Sequence, residues 1–215
     1  MPTKFQFLMR FTKNGKARYL SHRELLNLIE QSIRRAGIPI VFSEGFNPRP
    51  RISFPTALPL GVSSDNEIMY FQLSEWMNQN EIIQKINKGL IEGVTVVSIE
   101  PLRQDSIVSF SVEYKITPLT DSASQEILQL SSDKIQNWMI QPSHIVQRDY
   151  ANKESKKVNL KAYVQKMELK NSALLLTIKI TNEGTARPEE VLWSLGVKGN
   201  AKDGSFAIHK LETFI

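Results

Sequence analysis

Two short stretches gather the side chains best suited to hold an anion. The first is Arg18-Tyr19-Leu20-Ser21-His22-Arg23, and the second is Ser43-Glu44-Gly45-Phe46-Asn47-Pro48-Arg49-Pro50-Arg51. Ser21 stands three residues before Glu24, the spacing of a capping box at a helix start. Free amides and the positive end of the helix dipole favour anions there, and Arg18 and Arg23 add charge. In the second stretch Pro48 and Pro50 restrict the backbone, and each pushes the residue before it towards extended geometry. Gly45 permits a sharp turn. Arg49 and Arg51 flank Pro50. Residues two apart in an extended segment face the same way, so both guanidiniums can point at one anion. A rigid loop loses little ordering entropy on binding. The expected anion- or RNA-binding set is therefore Arg18, Tyr19, Ser21, His22, Arg23, Ser43, Glu44, Asn47, Arg49 and Arg51. In this set Ser43, Glu44 and Asn47 shape the loop, and Tyr19 or Phe46 offers a ring to a base. The competing structural account makes Ser21 only a cap and His22 a surface residue, with the arginines paired to Glu30 or Glu44.

The charge distribution favours an anionic partner. The chain of 215 residues carries a net +5. Residues 1–60 hold 10 Lys and Arg against 3 Asp and Glu, a net +7, while the remainder holds 17 against 19 and is slightly acidic. Positive charge concentrated at one end most often serves nucleic acid. There is no cysteine, which excludes disulfides, iron–sulfur clusters, thiolate zinc sites and cysteine nucleophiles. His22, His144 and His209 show no metal-ligand spacing, and no P-loop, G-x-G-x-x-G, G-x-S-x-G or H-E-x-x-H motif occurs. No cofactor is expected. The N-terminal residues lack a secretory pattern and no segment reaches the ~18–20 apolar residues of a membrane span, so a cytoplasmic location without membrane contact is expected.

The elements that must position these residues follow from periodicity. Phe5, Phe7, Met9 and Phe11 alternate with polar residues as a strand. Leu25, Leu28, Ile29, Ile33 and Ala36 recur at helical spacing. Arg34 and Arg35 suit the helix C-terminus, and Gly37 and Pro39 stop the helix. Strands are expected at Ile52–Ala57, Glu67–Ser74 and Val94–Glu100, with a helix over Asn80–Leu90. The second half repeats the plan: a strand over Val108–Ile116, a helix over Ser124–Trp138 weakened at Ser131–Asp133, and a strand over His144–Asp149. A polar loop over Asn152–Lys157 comes next. A hairpin turning at Asn171-Ser172, a helix starting at Pro188 and a strand over Ser205–Thr213 complete it. The segment Asn182–Glu190 is expected to be structural, because Glu189 and Glu190 already complement the helix dipole. The fold class is α+β, with two tandem ferredoxin-like (split βαβ) domains: residues 1–103, basic and carrying the SEGFNPRPR loop, and residues 104–215.

The strings RYLSHRELL, RRAGIPIVFSEGFNPRPRISFPTALPLG and GTARPEEVLWSLG resemble the bacterial radical SAM-linked (radical SAM-associated) protein family, a domain of unknown function. The resemblance spans nearly the whole chain. It implies a partner, a radical SAM enzyme encoded beside the domain or fused to it, and a connection to RNA through ribonuclease E/G-type proteins. It implies no reaction. Lacking cysteine, this chain cannot hold the SAM-cleaving cluster, so the partner would. The leading expectation is a non-catalytic accessory or substrate-binding module that binds RNA or ribonucleoprotein. One alternative is a metal-independent RNA-processing or RNA-modifying enzyme with His22 as general base and Tyr19 or Glu44 as its partner, by fold analogy to CRISPR-RNA endonucleases. Another is a protein–protein adaptor.

Overall fold

Alternation builds the first strand, β1, at Phe5–Lys13. Its apolar set Phe7, Met9 and Phe11 is buried in the core of the first half of the chain. A computed structural model describes residues 4–56, 58–102, 109–150 and 153–214. The chain divides into two units, residues 1–106 and 107–215. The expected boundary at 103/104 falls within 103–108, outside the described residues, as does Val108.

In the first unit, β1 leads through a 3-10 turn at Gly15–Tyr19 into α1, His22–Arg35. Then come β2 (Ile52–Ser53), β3 (Ser63–Leu73), α2 (Gln79–Asn87) and β4 (Val94–Pro101). All pairings within this sheet are antiparallel, in the order β4-β1-β3-β2. Leu25, Ile29 and Ile33 of α1 and Ile82 and Ile86 of α2 close over Phe7, Met9, Phe11, Met69 and Phe71 in one core. Full burial of each such side chain stabilises by about 1.5–3 kcal/mol. The strand expected at Ile52–Ala57 is only two residues long, because Pro55 and Pro59 remove ladder donors; Ala57 lies outside the described residues.

The approach to the candidate site is held by the turn that leads into β4. The Asn14 amide donates to the Gly93 carbonyl at 2.7 Å. Gly93 has φ +89°, and a Cβ there would stand 2.3 Å from the Asn14 carbonyl oxygen. The expected result for Gly93→Ala is a loss of at least about 1–3 kcal/mol, from left-handed strain plus the backbone clash. Urea unfolding measures it, and an unchanged midpoint would contradict this account.

The second unit holds β5 (Ser109–Pro118), α3 (Asp121–Leu128), α4 (Ser132–Ile140), β6 (Ile145–Tyr150) and β7 (Lys153–Asn159). It continues with β8 (Val164–Lys170), β9 (Ala173–Thr181), β10 (Gly184–Thr185), α5 (Pro188–Ser194) and β11 (Phe206–Phe214). Its sheet runs β11-β5-β9, and both β8 and β10 pair with β9, all antiparallel. The protein is thus a mixed α/β structure of largely antiparallel strands with, among the described residues, five α-helices.

Two expectations change here. The helix over Ser124–Trp138 is two helices, because the Ser131 hydroxyl accepts from the Lys134 amide at 3.1 Å and caps a new start. The loop expected at Asn152–Lys157 is largely strand β7, which pairs with β6 as a two-stranded ribbon. Residues 154–157 are all exposed, so neither face needed apolar residues and the period-2 signal was missing. The hairpin turn at Asn171-Ser172 forms as expected, both residues having positive φ.

Candidate functional site

The Arg18–Arg23 stretch caps the N-terminal end of α1. Below it Lys13 is 0% exposed, and its Nζ donates to the Leu20 carbonyl at 2.7 Å. Burial lowers the Lys13 pKa, opposed by the carboxylates of Glu67 and Glu24. The Arg18 carbonyl accepts from the Gly61 amide at 2.9 Å. Its guanidinium lies 4.7 Å from the centre of the Tyr19 ring and donates to the Tyr19 hydroxyl at 2.6 Å. Half-buried arginine and exposed ring thus form one cationic, aromatic unit. His22 meets Phe54 edge-on at 5.1 Å between centroids, and Phe54 meets core residue Phe11 at 6.1 Å. His22 is thereby oriented by a ring, and Arg23 is exposed.

Ser21 forms the full capping box. Its amide donates to Glu24 Oε2 at 2.7 Å, and its hydroxyl accepts from the Glu24 amide at 3.3 Å. Hydrogen bonding to the Ser21 side chain, then to its backbone, holds the Glu24 pKa below its ordinary value. A depressed carboxylate contributes stability above its unfolded pKa and loses it as pH falls through the folded one. Ser21→Ala is expected to cost about 1 kcal/mol at neutral pH, with less difference from wild type once Glu24 is protonated. Denaturant midpoints at neutral and acidic pH measure both effects.

The second stretch is a closed loop. The Ser43 amide donates to the Arg49 carbonyl at 2.8 Å, and the Arg49 amide donates to the Ser43 hydroxyl at 3.0 Å. Phe42 and Pro50 form an antiparallel bridge, and the Arg51 amide donates to the Val41 carbonyl at 2.7 Å. Glu44, Gly45, Phe46, Asn47 and Pro48 form the exposed tip, with Gly45 at φ +120°. Phe46 is fully exposed, at 107%. Pro50 is buried, while Arg49 and Arg51 on either side are exposed.

The two stretches lie towards opposite ends of α1. Arg34, near its C-terminus, places its guanidinium 5.6 Å from the Phe42 ring centre at the base of the loop. His22, at the N-terminus, touches Phe54. Twelve helical residues separate His22 from Arg34, a rise of about 18 Å. Pro50–Phe54, about 14 Å long at full extension, connects the residue bridged to Phe42 with the ring that meets His22. The arrangement is therefore a strip beside one helix, with Arg18, Tyr19 and Arg23 at one end and Arg34 and Phe42, at the base of the loop that carries Arg49, at the other; Arg51, in one row with Gln6 and Gln72, belongs to the other sheet face. Among the described residues, none of Arg18, Arg23, Arg34, Arg35, Arg49 and Arg51 is ion-paired to a carboxylate. The pairing with Glu30 or Glu44 that a purely structural role would use is not among the described contacts. Sequence reasoning missed Arg34 and Phe42 as members of this strip. The signal was the Arg-Arg pair itself, read only as a complement to the helix dipole.

In the second unit, Asn182–Glu190 is a structural element. Glu190 accepts a bidentate pair from Arg148 and the Arg187 amide at 3.0 Å. Among the described residues, no group of three or more His, Cys, Asp or Glu could hold a metal. Among the described residues no helix is long and apolar enough to cross a membrane.

Residues 6–188 match the family described as an uncharacterized protein conserved in bacteria (DUF2344). The chain belongs to that family. No curated protein matches it significantly. Among solved structures it is similar to an unknown protein from Galdieria sulphuraria, at 9% identity and a TM-score of 0.30, covering 99% of this chain and 98% of that one. At that score the likeness carries no argument. The DUF2344 description names no partner and no reaction.

Proposed function

We propose that this chain is a non-catalytic accessory module that binds RNA or ribonucleoprotein for a radical SAM enzyme. The observation that carries the reading is the strip beside α1, where Arg18, Arg23, Arg34 and Arg49, without described carboxylate partners, accompany the rings of Tyr19 and Phe42. An anionic strand contributes phosphates at regular intervals and bases with π faces, and such a strip matches both. A strip about 18 Å long suits an extended polymer better than a single small anion. The radical SAM partner rests on the resemblance of the SEGFNPRPR and GTARPEEV strings.

The same reading assigns both units to the ferredoxin-like plan. Support comes from element and sheet order. The first unit runs β1-α1-β2-β3-α2-β4 with sheet order β4-β1-β3-β2. In the second, β5, β8, β9 and β11 take the same places, with α3–α4 and α5 as the two helical layers and the β6–β7 ribbon as an insertion. That plan leaves one sheet face free of its own helices.

Titration of labelled single-stranded RNA at several salt concentrations tests the function. A steep loss of affinity with salt is expected. Salt-insensitive binding, or co-purification with a protein partner that survives nuclease treatment without any RNA binding, would overturn it in favour of a protein–protein adaptor.

A further inference from the structure

The sheet face of the first unit opposite α1 and α2 carries a polar cavity beside one end of the strip. Register puts Gln6 opposite Gln72, and Tyr70 between Leu8 and Ser53. The Arg51 carbonyl accepts from the Gln72 amide at 3.2 Å, so Arg51 continues the Gln6–Gln72 row. Alternate residues of these strands, Phe7 and Phe71, face the core. Gln6, Arg51, Ser53, Tyr70 and Gln72 therefore share the other face, and they line a cavity of about 260 Å³. That is near the small end for ligand sites.

The lining contains two buried polar atoms that nothing among the described residues satisfies. The Tyr70 hydroxyl and Gln72 Oε1 are both inaccessible to solvent and lack hydrogen-bond partners. Orphaned buried groups are uncommon, and each asks for an explanation. Burial raises the Tyr70 pKa, and the Arg10 charge opposes that, so the phenol stays protonated and can donate. Gln72 Oε1 accepts only. The guanidinium of Arg51 is a ready anion ligand. The ligand these groups ask for has an N–H for Gln72, an acceptor for Tyr70 and a negative charge for Arg51. No carboxylate lines the cavity, so a cationic ammonium would be buried without compensation. A neutral N–H donor fits instead. Tyr70 and Gln72 are two residues apart on one strand, about 7 Å, and can address two edges of one heterocycle.

We infer that this cavity binds one nucleotide, its base hydrogen-bonded to Tyr70 and Gln72 and its phosphate on Arg51. The inference rests on the nucleic-acid reading above and assigns the place where one residue of the strand, or a free nucleoside monophosphate, is recognised.

Calorimetric titration of the full chain with AMP, CMP, GMP, UMP and inorganic phosphate tests it, alongside binding of short single-stranded RNA. The expected result is saturable binding that differs among the four nucleotides and is stronger than for phosphate alone. Tyr70→Phe and Gln72→Leu should each weaken that binding by about tenfold, the size of one well-formed hydrogen bond. Neither should lower the melting temperature, because removing an orphaned buried polar group is neutral or stabilising. If the mononucleotides bind and RNA does not, the ligand is the free nucleotide and the strip on α1 fails alone. If RNA binds with a steep salt dependence while Tyr70→Phe and Gln72→Leu change neither affinity nor base preference, the cavity is overturned and the strip stands. Equal binding of all four nucleotides and phosphate would also overturn it.

Discussion

Replacing Arg23, Arg34 and Arg49 together with glutamine should lower RNA affinity about 100-fold at ~0.1 M salt, with the fold intact. The magnitude follows from counterion release. On a single strand each neutralised phosphate contributes about −0.7 to the slope of log affinity against log salt, so at ~0.1 M each contact is worth about fivefold. Four engaged arginines give a slope near −2.8, and removing three leaves about −0.7. Glutamine keeps most of the aliphatic stem, so packing such as that of Arg34 on Phe42 is largely retained. The variant should cost little stability, since these side chains make no described carboxylate pair and surface charges contribute little on their own. Arg51 is left in place so that the cavity on the other sheet face is not disturbed. Filter binding across about 50–200 mM salt reads both affinity and slope. An unchanged slope would sink the strip as a phosphate track, whatever happened to affinity at one salt concentration.

The strip was half legible in the sequence. Its loop was readable because Pro48, Pro50 and Gly45 have few backbone options, and the Ser43 closure and the outward pair Arg49 and Arg51 follow from those restrictions. The cap was readable because Ser21 and Glu24 interact locally. The distance between the two stretches was not readable. It depends on Phe42 meeting Arg34 and Phe54 meeting His22, contacts between residues whose separation along the chain says nothing about their separation in space. The cavity was invisible for the same reason: Gln6, Ser53 and Tyr70 are neighbours only through strand register. In the fold, elements with an apolar face, such as β1 and α1, announced themselves. The β6–β7 ribbon did not, because residues 154–157 bury nothing. The break between α3 and α4 was visible only as a weak middle, since a serine reads equally as a poor helix former and as a cap.

The largest stability effect should come from Glu190→Ala in the second unit, about 3–5 kcal/mol. Glu190 and Arg148 side chains are only 6% and 12% exposed. Arg148 Nε donates to Glu190 Oε1 and its NH2 group to Oε2, both at 2.6 Å, and NH2 also donates to the Thr185 carbonyl at 2.7 Å. Arg148 belongs to β6, Thr185 to β10 and Glu190 to α5. The pair therefore ties the ribbon to the helix, while β6 has its described strand pairing with β7. The ribbon's other anchor is at its start, where His144 stacks on Trp138 at 4.0 Å and Nε2 bonds the Trp138 carbonyl. Truncating Glu190 leaves a guanidinium with little access to water and no counter-charge in the bidentate position, and it removes the acceptor for the Arg187 amide. Replacing both partners with methionine should be less harmful than removing Glu190 alone, because the double change leaves no uncompensated charge behind. Denaturant unfolding of Glu190→Ala and of the double variant measures the comparison. A single-variant loss under about 1 kcal/mol would mean that the pair behaves as an exposed ion pair, and that the ribbon is held by the Trp138–His144 stack instead.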